Sequence, residues 1–284
     1  DTVGRVPECR WEVPAELLEG ACTSSGSPLP TAALHGGYVR GADLFDHTRF
    51  SVSHAEASVM DPQQRLLLEG GHAALLGAGL ARAQLSGSDV GVFLGIENTD
   101  WSHGGSELLG GSTTASVYVV SGGTISIASG RISFVFGLHG PCLSVDTACS
   151  ASLAALHGAA LSLGVHECPL SLVAAVNLAL LAGPTLACAA AGMLSPGGRC
   201  KTFDAGADGY VRAEGCGTLV LAARTDEADA GALAGRGAGG ARLSSIVLRQ
   251  DGRSASLTAP NGSAQRALLT AAVLRAGHGQ GMPG

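Results

Sequence analysis

Residues 140–152 read Gly-Pro-Cys-Leu-Ser-Val-Asp-Thr-Ala-Cys-Ser-Ala-Ser, a run that places a nucleophile beside groups able to activate it. A short β-branched stretch ends in a tight turn, Cys149 sits at that turn, and an Ala/Leu-rich helical pattern follows over 150–163. A cysteine at a helix start faces unpaired backbone N–H groups and the positive end of the helix dipole. Both favour the thiolate, which is the nucleophilic form. The same N–H groups can hold the oxyanion that forms when the sulfur attacks a carbonyl. Strand, nucleophile turn and helix together suit acyl transfer. A covalent thioester divides one difficult step into two easier ones, and an oxygen ester would be a poorer electrophile for a carbanion.

The elements that must position this turn follow from patterning. The spacing of Leu66, Leu67, Ala74 and Leu75 predicts a helix over 63–80. Residues 90–96 form an apolar run bounded by Asp89 and Glu97, which predicts a buried strand, and 143–145 a central one. A helix starts in 124–132, and 150–163 is the buried helix behind the nucleophile. Strands are expected over 170–176 and 218–222, with one further strand over 246–248. Asn261 or Ser263 caps a helix that runs to Arg275 and stops at Gly277. Residues 1–34 read as irregular and 226–242 as a Gly/Ala-rich connection. Helices alternating with buried strands imply a layered α/β fold.

The composition sets bounds. A chain of 284 residues with 46% apolar content can bury a sizeable core and fits one large domain. With 14% charged and 4% aromatic residues, that core must be aliphatic and its helices closely packed. The net charge of −6 and the lack of a basic patch speak against nucleic-acid and anionic-membrane binding. Eight cysteines, at 9, 22, 142, 149, 168, 188, 200 and 216, form no Cys-x-x-Cys pair, so no metal site is supported. The first residues are charged and polar rather than a signal peptide. Free thiols in a reducing, cytoplasmic setting are therefore expected, with the cysteines other than Cys149 structural and Cys142, Cys168 and Cys188 in apolar contexts.

Several stretches invite other readings. Residues 172–194 are apolar enough to suggest a membrane span, but Asn177, Gly183 and Pro184 interrupt them; a buried strand, a loop and a packed helical piece fit better. Gly235-x-Gly237-x-x-Gly240 matches a dinucleotide fingerprint, yet follows no clear strand and opens no clear helix, so it reads as a connection. Asn261-Gly262-Ser263 reads as a turn rather than a glycosylation site. Arg65 and Glu69, at i and i+4, can pair on their helix.

The run around Cys149 resembles the active-site signature of β-ketoacyl synthases, the condensing enzymes of polyketide and fatty acid synthesis. Four further stretches resemble signatures of that family, in its order and at about its spacing. They are Met-Asp-Pro-Gln-Gln-Arg-Leu-Leu-Leu-Glu at 60–69, and Ser-Gly-Arg-Ile-Ser-Phe at 129–134. The third is Gly-Arg-Cys-Lys-Thr-Phe-Asp at 198–204 with Ala-Asp-Gly-Tyr-Val-Arg at 207–212 and Glu214-Gly215. The fourth joins Gln-Asp-Gly at 250–252 to Leu-Thr-Ala-Pro-Asn-Gly at 257–262. The chain is identified by these residues as a ketosynthase domain of a type I modular polyketide synthase, partial at both ends.

The resemblance implies a thiolase-like αβαβα layered sandwich, here its N-terminal half plus the start of the C-terminal half. Residues 1–34 would be a leading segment lacking the family's first strand, 35–225 the N-terminal core with the nucleophile, and 226–284 a linker and the start of the second half. It also implies decarboxylative Claisen condensation of a Cys149-bound acyl thioester with a malonyl-type extender on acyl carrier protein. No metal or bound organic cofactor is implied, since the substrates ride on the carrier's phosphopantetheine. Homodimers paired along the strand near 143–146 are implied too. Phe203 corresponds to a residue lining the acyl pocket, with core packing as its other reading. Asp204, Asp208, Arg212 and Glu214 are expected to order their loop through hydrogen bonds and ion pairs.

The sequence departs from the family in that His-Gly-Thr-Gly-Thr and Asn-x-Gly-His, which carry its two catalytic histidines, are absent. The chain ends where the first would be expected, which implies a fragment in which acyl loading survives and condensation does not. A non-condensing acyl-binding or structural ketosynthase remnant is the alternative. Thiolases and chalcone-type synthases share the fold but not the signatures at 60–65 and 198–204. His54-Ala55 stand where the family often has Pro-Arg, and Ala151 replaces a common serine; neither touches the sulfur.

Overall fold

Every residue of strand β3 (Gly91–Ile96) is buried, because helices cover it on both faces and strands flank it on both edges. The computed structural model describes residues 3–7, 10–11, 32–97, 100–108, 117–223, 241–257 and 259–278. Their main sheet has the order β4-β3-β5-β6, with β4 at Cys142–Val145, β5 at Leu170–Asn177 and β6 at Gly215–Ala222. Strand β3 runs parallel to β4 and β5, and β6 antiparallel to β5. β4 is thus an edge strand of this sheet rather than the central one its apolar residues suggested, and Cys142 and Leu143 are exposed as a result.

Nine helices accompany the strands among the described residues: α1 (His54–Val59), α2 (Pro62–Gly77), α3 (Arg82–Leu85), α4 (Asp100–Leu108), α5 (Val119–Gly123), α6 (Ile125–Phe136), α7 (Ala151–Gly164), α8 (Ala182–Ala190) and α9 (Gly262–His278). Alternation along β3 splits its side chains between two faces. Val92, Leu94 and Ile96 join the core formed with Leu67, Leu68 and Leu75 of α2 and Ile132 and Phe136 of α6. Phe93 turns the other way and packs with Val173 against Ala155 and Ala159 of α7, whose small side chains let the helix approach closely. The result is an α/β/α layering, the N-terminal half of the thiolase-like sandwich; the outer face of α7 leaves Leu153 and Leu161 exposed.

The signature at 60–69 builds this scaffold. Asp61 is the N-cap of α2, accepting from Gln63 N at 2.8 Å, and Pro62 opens the helix where its missing N–H costs nothing. Gln63 Oε1 accepts from Leu178 N at 3.1 Å. Gln64 Nε2 donates to the carbonyls of Ser121 and Gly122, while its Oε1 accepts from Arg131 Nε at 2.6 Å. Arg131 also pairs with Glu56 and donates to the Ser121 carbonyl. Burial pushes the Asp61 carboxyl up to about 6. Arg65 does not pair with Glu69; it donates to the Met60 carbonyl at 2.7 and 3.0 Å and lies 5.9 Å from the Trp101 ring centroid.

Other expectations are revised. The leading segment contains β1 (Val3–Arg5), paired antiparallel with β2 (His35–Gly37). Residues 246–248 form no strand. Asn261 Oδ1 caps α9 by accepting from Ser263 N and Ala264 N, and the helix runs through Gly277. The stretch 168–198 holds β5 and α8, and no described helix is long and apolar enough to cross a membrane. Gly235, Gly237, Gly240 and most of the 226–242 connection lie outside the described residues.

Candidate active site

β4 delivers the chain to the nucleophile turn. Ser144 Oγ donates to the Ile125 carbonyl and to Ser129 Oγ, both at 2.9 Å, which ties β4 to α6. The turn itself is sharp. Ala148 has φ 53°, a left-handed conformation costly for a residue with a Cβ, and its N–H donates to Asp146 Oδ1 at 2.9 Å. Ser150 Oγ donates to the Thr147 carbonyl and to Thr147 Oγ1, both at 2.8 Å. Cys149, between these clamped neighbours, is exposed and immediately precedes Ser150, the N-cap of α7.

The depth of the site depends on Gly95. A Cβ there would lie 2.6 Å from the Ala151 carbonyl carbon and the Ser152 nitrogen, so only glycine lets the N-terminus of α7 sit against the end of β3. Cys149 opens into a cavity of about 830 Å³ at the carboxyl ends of β3 and β5, where α/β sheets commonly bind ligands. Gly95, Glu97, Ala148, Cys149, Ala151 and Ser152 line it together with the end of β5, residues 210–214 and the start of β6, which pairs beside β5.

The segment 210–217 is held by long-range polar contacts. Glu214 accepts from Arg10 Nε and Nη2 at 2.8 Å each, from Val39 N at 2.7 Å and from Ala179 N at 3.1 Å. Asp208 accepts from Ser195 Oγ at 2.7 Å and from Lys201 Nζ at 2.5 Å, which hold its carboxyl below the ordinary range. Gly209, with φ 138°, lets the loop cross the Leu194 backbone; a Cβ there would meet the Leu194 carbonyl carbon at 2.5 Å. Asp208 and Glu214 order the loop as the sequence suggested, and Asp204 Oδ1 adds a bond from Gly206 N. Arg212 departs from that expectation: its side chain makes no ion pair among the described residues and donates only to Cys188 Sγ, at 3.5 Å.

A second thiol, Cys216, lines the same cavity. The residue is exposed overall, but its thiol donates to the Leu66 carbonyl, and partial burial, aided by the nearby Glu69 charge, pushes it up to about 11. Among the other described cysteines, Cys168 is buried beside Ser162 and Ser171, whereas Cys142 and Cys200 are exposed and Cys188 is half-buried; the apolar setting expected for Cys142 is not found. Phe203 does not line the cavity. Its ring is fully exposed and its φ is 62°, so the core-packing reading is set aside. Asn177, Tyr210 and Arg212 do line it. Tyr210 and Arg212 belong to a recognised signature, but nothing in their spacing tells that the loop folds back across the sheet ends. Among the described residues, no group of three His, Cys, Asp or Glu is placed to hold a metal ion.

Residues 1–227 match the family model described as "Beta-ketoacyl synthase, N-terminal domain". One component of the phenolphthiocerol/phthiocerol polyketide synthase of Mycobacterium tuberculosis is 40% identical over 278 residues, which are 95% of this chain and 12% of that protein. Another component of the same synthase, from the same organism, is 39% identical over 281 residues, 97% of this chain and 14% of that protein. The oxazolomycin ketosynthase domain of Streptomyces albus JA3453 superposes with a TM-score of 0.80 at 32% identity, over 98% of this chain and 46% of that one. The ketosynthase from module 6 of the bacillaene synthase of Bacillus subtilis 168 gives a TM-score of 0.75 at 31% identity, over 97% and 43%. The chain therefore spans about an eighth of these polyketide synthase proteins and under half of these ketosynthase chains.

Proposed function

The chain belongs to the β-ketoacyl synthase family, and on that basis we propose that Cys149 accepts an acyl group from the phosphopantetheine thioester of an acyl carrier protein. The observation that carries this is the position of Cys149: exposed on a strained turn at the head of α7 and open to a cavity of about 830 Å³. In the step, the Cys149 sulfur bonds to the thioester carbonyl carbon and the carrier's sulfur–carbon bond breaks. The proton lost by Cys149 leaves on the carrier thiol. In the larger protein, decarboxylation of a malonyl-type extender yields carbon dioxide and a carbanion. The carbanion attacks the Cys149 thioester, forms the new carbon–carbon bond and returns the sulfur free.

Neither family histidine signature occurs in these 284 residues, so loading is the half-reaction that this chain's own residues support. The second reading is an acyl-binding remnant that loads without condensing. A second copy is proposed to pair along β4, whose edge has no strand partner among the described residues. Phe203 is proposed to contact the acyl chain; its support is its place in the family signature at 198–204, with its exposed ring left free to meet a ligand. A cytoplasmic location and the absence of a bound cofactor complete the proposal.

Intact-mass measurement after incubation with a short acyl thioester tests loading. One acyl adduct on the wild type and none on C149A is expected; equal labelling of both removes the nucleophile assignment. A β-ketoacyl product on addition of malonyl carrier would exclude the remnant reading, and stable acylation without product would favour it.

A further inference from the structure

Arg212 lines the cavity with no counter-ion among the described residues. It is half-buried, lines the same cavity as Cys149, and among the described residues its guanidinium donates only to the Cys188 sulfur, a weak acceptor, at 3.5 Å. The nearby carboxylate is already committed: Glu214 takes two bonds from Arg10 and two from backbone N–H groups. Tyr38 and Tyr210 feel the Arg212 charge, but burial raises both phenols, Tyr38 to about 12, so neither supplies an anion at neutral pH. Glu97, which also lines the cavity, makes no ion pair among the described residues. A guanidinium withdrawn from water with most of its donors unused favours an incoming oxyanion.

We propose that Arg212 binds the anionic group of the thioester substrate at the mouth of the Cys149 cavity, and so sets which donors or extenders the site takes. This rests on the reading of Cys149 as the acyl acceptor. The shared chemistry is an oxyanion fitted to a planar fork of donors, with two sources: the phosphate of a pantetheine arm or the carboxylate of a malonyl-type extender.

The test uses the full 284-residue chain and follows Cys149 acylation by mass spectrometry. Acetyl-phosphopantetheine and acetyl-pantetheine serve as donors, and malonyl-pantetheine as competitor. If phosphate is the ligand, the wild type loads about tenfold faster from the phosphorylated donor, and in R212M that ratio falls towards one. If the carboxylate is the ligand, the donors differ little, and malonyl-pantetheine protects Cys149 about tenfold less well in R212M than in the wild type. R212K keeps the charge but not the fork and should retain only part of either effect, and R212Q decides the matter should R212M fail to fold. A donor ratio and a protection constant that are both the same in wild type and charge-free variant overturn the inference while leaving the nucleophile reading intact. A folded wild type that loads from no thioester overturns the nucleophile reading, and the inference with it.

Discussion

Two signature-bearing regions of this molecule differ in almost every physical respect. Around Asp61, Gln63, Gln64 and Arg131, polar side chains are buried and each has found partners within the protein. Around Cys149, the sulfur is exposed, the backbone before it is strained, and Arg212 in the same cavity has no carboxylate partner among the described residues. The first region makes its bonds inside the fold and has nothing left for a ligand. The second holds back an exposed thiol and most of a guanidinium's donors. A family signature therefore marks either scaffold or chemistry, and satisfied hydrogen bonding tells them apart.

The widest separation should come from Cys149→Ala, which is expected to abolish acyl loading in the mass assay while shifting the melting temperature little; Cys142→Ala and Cys216→Ala should both keep loading. If Cys216→Ala also abolished it, the contrast between the two cavity thiols would fail. At the buried region, Arg131→Met strands Gln64 and Glu56 and is expected to cost about 4 kcal/mol in denaturant unfolding. A loss below about 1 kcal/mol would show that this network does not hold the scaffold together.

The Asp61 carboxyl gives a pH signature. Its folded value, about 6, lies above its unfolded value of 3.8, so the folded state keeps a proton that the unfolded state has released. Stability should fall as pH rises from about 4 to about 6, by at most about 3 kcal/mol, and level off above. Asp61→Asn should flatten that slope; an unchanged slope would place the titration elsewhere. Gly95→Ala should cost about 2 kcal/mol and slow loading, because the added methyl displaces α7 from β3; unchanged loading would mean that close approach does not set the sulfur. The smallest effect is expected of Ala148→Gly, which relieves the turn at φ 53° and should stabilise the fold by roughly 0.5 kcal/mol while loosening Cys149. A melting temperature at or below that of the wild type would show that the turn carries no strain to relieve.

Much of this was legible in the residues themselves. β3 and β5 are strands buried on both faces, and their continuous apolar runs announced it. The Asp-Pro start of α2 and the cap at Asn261 are local devices that act within three residues. The nucleophile turn between a short strand and an Ala-rich helix was equally local. Such features depend on period and neighbouring chemistry, which a linear string contains. The place of β4 at the sheet edge was not legible, because strand order is a choice among pairings that the apolar residues of one strand do not rank. Nor was the failure of Arg65 to meet Glu69: the guanidinium found the Met60 carbonyl, a partner set by how α1 turns into α2. The cavity wall is the clearest case. Glu214 reaches Arg10, 204 positions away in the chain, and such closure brings Tyr210 and Arg212 into one cavity with Cys149. The nucleophile turn, the buried strands and the caps are written in the order of the residues, since each is fixed by contacts within a few positions. Which charges are spent and which remain available was settled only on folding, because that depends on partners far apart in the chain.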